Sequence, residues 1–192
     1  MAQRQEELLR FLRLHRRQRI EQRVHIEREA GRSLVAAFDR VGPAPAQRAA
    51  RAFDTAETHL FAPFAWPARG PISGVYGSQR VLNGEPRQPH FGVDIAAPEG
   101  TPVRAPAGGE IRLAEVDLYY SGGTVILDHG HGLSSTFLHM SRVDVAVGQI
   151  VVQGEVIGAI GATGRVTGAH LDWRMNWFER RLDPALLVEP ED

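Results

Sequence analysis

The chain has no cysteine among its 192 residues. That excludes disulfides, thiolate metal sites and a cysteine nucleophile together. It also has no lysine: all 22 basic residues are arginine, so a Schiff-base or lysine-general-base mechanism is excluded too. No apolar run approaches the roughly 20 residues that a membrane-spanning helix needs. The first residues, MAQRQEELLRFLRLHRRQRI, break every apolar cluster with charge, so no secretory signal is read in them. Neither half of the chain is strongly basic. Residues 1–60 hold 12 Arg against 8 acidic residues, and residues 61–192 hold 10 against 15. Nucleic acid is therefore not the expected partner.

What is present divides the chain in two. Residues 5–39 carry Leu8, Leu9, Phe11, Leu12, Ile20, Val24, Leu34, Val35 and Phe38 at loosely helical spacing. Proline first occurs in VGPAPAQ, which reads as a helix stop, and a short Ala/Arg-rich helix is expected over about 45–59. Beyond FAWPARGPISGVYG, glycine and proline become frequent and β-branched residues gather in short runs. This predicts a mainly β, antiparallel sandwich over residues 61–192, preceded by a helical arm and linker over residues 1–60. SGGTVILDHGHGLSSTFLHM reads as a hairpin turning at HGHG.

With no thiolate, a metal has to be held by imidazoles and carboxylates. HFGVDIAAP offers His90 and Asp94, STFLHM offers His139, and GAHLDW offers His170 and Asp172. The last two are two residues apart, so on a strand both leave the same face. These five fall at strand ends. Three of them suffice to hold a metal with one position open to water, which leaves two imidazoles to move protons. His129 and His131 have metal-pair spacing as well, but their flanking glycines place them in a turn, with solvated rings. His15, His25 and His59 lie in the helical part without a partner at useful spacing.

ISGVYGSQR, HFGVDIAAPEGTPVRAPAGGEI, GGTVILDHGHGLSSTFLHM, VAVGQIVVQGEVIGAIGATGRVTGAHLDW and LDPALL, in this order, resemble the lysostaphin-type (LytM-like) zinc metallopeptidases. The likeness runs from about Pro63 to Pro184. It implies a duplicated hybrid β motif, one zinc ion, a location in the periplasm or cell envelope, and hydrolysis of peptide cross-links in peptidoglycan. His90 and Asp94 match the first two zinc ligands. His139 and His170 match the two catalytic histidines, and Arg80 matches an arginine near the groove. The third ligand of the family is a histidine, and Asp172 stands in its place.

An imidazole Nδ1 and a carboxylate Oδ both lie two bonds beyond Cβ, so Asp172 is expected to reach the same metal position. The shell would then be one unit more negative, and Asp172→His is expected to keep or raise zinc affinity. Decay of a site ordinarily loses several residues; here four of five remain and the fifth is itself a ligand type. The alternative implied by the family is a degenerate module that binds peptidoglycan or activates a cell-wall amidase.

Overall fold

In the computed structural model, the described residues are 43–79, 81–82, 84–86 and 88–189. The expected arm helix over residues 5–39 and the candidate Arg80 lie outside them. Among the described residues, no helix is long and apolar enough to cross a membrane.

The helix expected over 45–59 is shorter and begins earlier: α1 is Pro43–Ala50. Pro43 and Pro45 occupy its first turn, where a missing N–H costs nothing, so PAPAQ begins a helix. Residues beyond it are captured by the β structure instead. Thr55 donates its hydroxyl to Asp128 at 3.0 Å, His131 N–H donates to the Thr55 carbonyl at 2.8 Å, and the Arg112 guanidinium lies 4.3 Å from the Phe53 ring centre.

The rest is mostly antiparallel β. The strands are β1 (Ile72–Gly74), β2 (Val81–Leu82), β3 (Glu85–Pro86), β4 (Val93–Ala96), β5 (Pro102–Arg104), β6 (Gly109–Leu118), β7 (Gly122–Gly130), β8 (Leu133–Val143), β9 (Ile150–Val151), β10 (Val156–Ile160), β11 (His170–Trp177) and β12 (Arg180–Leu182). One sheet runs β1-β4-β11-β8-β7-β6-β9, with β12 on β11, and with β10 joining β5 to β8; β2 and β3 form a separate pair.

Alternation along β11 sorts its side chains onto two faces. Leu171, Trp173, Met175 and Trp177 are buried in the core, with Phe137 opposite Trp173 and Leu133 opposite Trp177. The other face carries His170, Asp172, Arg174 and Asn176. β7 is buried along its whole length, with polar Thr124, Asp128 and His129 enclosed together with Val125, Ile126 and Leu127. The β7–β8 hairpin forms as expected, turning at His131 and Gly132, both with positive φ.

Candidate metal centre

β4 and β11 pair so that Asp94 stands directly opposite Asp172. Residues opposite one another in an antiparallel pair share a face, so both carboxylates project into one space. His90 enters from the segment before β4. Its N–H donates to the Ser78 carbonyl at 2.8 Å and its carbonyl accepts from Gly77 at 2.7 Å. The ring is buried, and its Nε2 lies 2.9 Å from Asp94 Oδ1. One ligand atom from each of His90, Asp94 and Asp172 falls within 4.8 Å of the other two.

Two glycines keep this space clear. A Cβ on Gly92 would stand 2.6 Å from Asp172 Oδ1 and 2.7 Å from Arg174 Cγ, and one on Gly74 would collide with the Asp94 carboxylate.

His139 reaches the same space by a different device. The edge of β8 that pairs with β11 as far as Leu138 pairs with β10 from Met140 onward. His139 sits at that change of partner, with φ +66° and a register shift on either neighbour. A bulge of this kind re-aims a side chain that strict alternation would send to the core. The His139 and His170 rings are 5.0 Å apart, and His170 Nε2 is 4.0 Å from Asp94 Oδ1.

Both imidazoles are fixed through Nδ1. His139 Nδ1 lies 3.0 Å from the Thr163 carbonyl and His170 Nδ1 lies 2.9 Å from the Gly168 carbonyl. A carbonyl only accepts, so each Nδ1 carries a proton, and in the neutral ring Nε2 is the basic nitrogen. Burial lowers the His139 pKa, an effect that the Thr163 carbonyl and the Asp172 charge only partly offset. His139 is therefore a neutral base near pH 7.

Arg174, which sequence reasoning passed over, completes the cluster. It donates Nε to Asp172 Oδ1 at 2.8 Å and Nη2 to Asp172 Oδ2 at 2.5 Å. The Asp172 side chain is 1% exposed and that of Arg174 22%. Burial pushes the Asp172 pKa up, but the hydrogen bonds and charge of Arg174 outweigh it, with His90 and His139 adding to them, and the net shift is downward. The signal was present in HLDWR, where an arginine follows a carboxylate by two residues on the same strand face.

The donor set suits a metal. Asp94 Oδ1 and His90 Nε2 are buried and 2.9 Å apart, facing the space that Asp172 also enters, and one imidazole with two carboxylates is a normal set for zinc or a harder divalent ion.

The profile of peptidase family M23 matches residues 88–184, a span that contains all five of these residues. The chain belongs to peptidase family M23. The chain is 36% identical over 127 residues to the cell division protein DipM of Caulobacter vibrioides, covering 66% of this chain and 20% of that protein. It is 40% identical over 87 residues to the peptidoglycan DD-endopeptidase ShyA of Vibrio cholerae, covering 45% of this chain and 20% of the relative. The chain thus spans about a fifth of the length of these curated relatives. Among solved structures, a putative M23 peptidase from Pseudomonas aeruginosa is 36% identical with a TM-score of 0.58, covering 85% of this chain and 60% of that one. A zinc-containing peptidase from Vibrio cholerae is 28% identical with a TM-score of 0.61, covering 67% and 40%.

Of the pair expected in a solvated turn, His131 lies in the turn, but His129 does not: it lies within β7 and is fully buried, bridging the Gly108 carbonyl and the Ser135 hydroxyl at 2.8 Å each, with its ring edge-on to Phe64. Burial lowers its pKa to about 4, so it is a neutral core polar group. The partner-strand ladder, which the flanking glycines do not reveal, carries the ring inside. His59 forms part of a 3-10 turn and lies 3.5 Å from Glu57.

Proposed function

We propose that this chain is a zinc-dependent endopeptidase of peptide cross-links in peptidoglycan, acting at the cell envelope, with His90, Asp94 and Asp172 as metal ligands. The convergence of these three ligand atoms within 4.8 Å, beside two imidazoles presenting Nε2, supports this reading most. Zinc bound there would polarise the scissile carbonyl and acidify a water. The protein's own residues do the remainder. His139 Nε2 takes a proton from the attacking water. His139 then returns that proton to the leaving amine, and His170, as the imidazolium with Nε2 protonated, would stabilise the oxyanion. Arg80 is proposed to meet the substrate near the groove.

The Arg174 fork on Asp172 favours a second reading, in which the site holds no metal and the groove serves as a peptidoglycan-binding or amidase-activating surface.

Digestion of purified peptidoglycan separates the two, with released peptides followed by mass spectrometry. The enzyme reading expects cleavage that chelator abolishes, and a loss of about 10²-fold or more in His139→Ala and in His170→Ala. Pelleting of uncleaved sacculi with the wild type, unaffected by chelator, is the outcome of the binding reading.

A further inference from the structure

The replacement of a neutral ligand by Asp172 adds a negative charge to the shell, and a buried carboxylate without a counterion is costly. Arg174 answers both. It leaves the same face of β11 two residues on, meets both Asp172 oxygens, and is itself largely buried. With His90 neutral, two carboxylates and one guanidinium leave the cluster with a single negative charge, the charge of a shell of two histidines and one aspartate. A guanidinium fork takes one lone pair on each oxygen of a carboxylate, and each such oxygen carries two. The charged groups facing Arg174 are Asp172 and Asp94, with His139 beside them; Arg181 on β12 is the next cation along the face, bound to Asn176 Oδ1 at 2.9 Å.

We propose that Asp172 and Arg174 together replace one neutral ligand, Arg174 being the positioning and charge-compensating residue that sets how tightly the site holds its metal. This rests on the metal-site reading above. It also reverses the expectation for Asp172→His: that change strands a buried guanidinium against the ion, so affinity falls unless Arg174 changes too.

The test is a cycle of wild type, Arg174→Gln, Asp172→His and Asp172→His/Arg174→Gln. Zinc affinity is measured by chelator competition, and the melting temperature is measured on the metal-free proteins. Arg174→Gln should lower the melting temperature when Asp172 is present and raise it in the Asp172→His background. It should tighten zinc at least about tenfold in both, since a cation leaves the neighbourhood of the ion. If Arg174→Gln does not fold, Arg174→Lys serves: it keeps the charge and loses the fork, so zinc affinity stays within about threefold of the wild type while the melting temperature drops. A stability effect of the same sign in both backgrounds, or zinc affinity indifferent to Arg174, overturns the proposal. Zinc binding by none of the four overturns the metal-site reading and this proposal with it, an outcome distinct from binding that ignores Arg174.

Discussion

Residue 129 shows how burial decides what a histidine does. His129 is enclosed and held neutral, with a pKa of about 4 against about 6.5 in an unfolded chain. Above pH 6.5 both states are uncharged there and the residue adds no pH dependence. As pH falls from 6.5 toward 4, the unfolded state takes up a proton that the folded state refuses, so stability declines by about 3 kcal/mol across that window and levels off below it. Thermal melts between pH 7 and pH 4 should show that slope, and His129→Gln should flatten it whatever its stability at pH 7. An unchanged slope would show that the ring is not held neutral. His129 and Arg174 were the two residues the sequence did not resolve, and the reasons differ. The glycines around DHGHG hide a strand whose burial only the sheet supplies. HLDWR, by contrast, carries the spacing of the Asp172–Arg174 pair openly, once an arginine is considered as a partner to a ligand. Breaking that buried pair from one side is expected to cost about 3–5 kcal/mol.

At the scale of elements, β11 has two functions on its two faces. Trp173 and Met175 anchor it in the core, while His170, Asp172 and Arg174 lie on the face of the candidate metal centre, so core packing fixes the site register. The β8 bulge supplies His139, and no periodicity in STFLHM announces it. The segment after α1 also packs with the strands. Thr55 is bonded to Asp128, and Gly130 packs so closely on the Glu57 backbone that a side chain there would collide. The sequence placed the domain boundary at residues 60 and 61; we propose that the folding unit begins near Ala50, in line with the compact unit Ala50–Pro190. A fragment of residues 50–192 should melt higher than one of residues 61–192, by several degrees. Equal melting temperatures would show that residues 50–60 add nothing.

For the whole molecule, the β character, the hairpin and the identity of the clustered residues were legible because glycine-punctuated, β-branched runs and the family motifs agree with one another. What assembles them was not legible: the pairing of Asp94 opposite Asp172 joins residues nearly eighty positions apart. The proposed activity depends on that cluster holding a metal. Calorimetric zinc titration of metal-free wild type beside Asp172→Ala tests it most directly. The account predicts one zinc per wild-type chain and its loss in the variant, which leaves two protein ligands, too few for a stable tetrahedral site. Equal zinc binding by the two proteins, or none by the wild type, would contradict it.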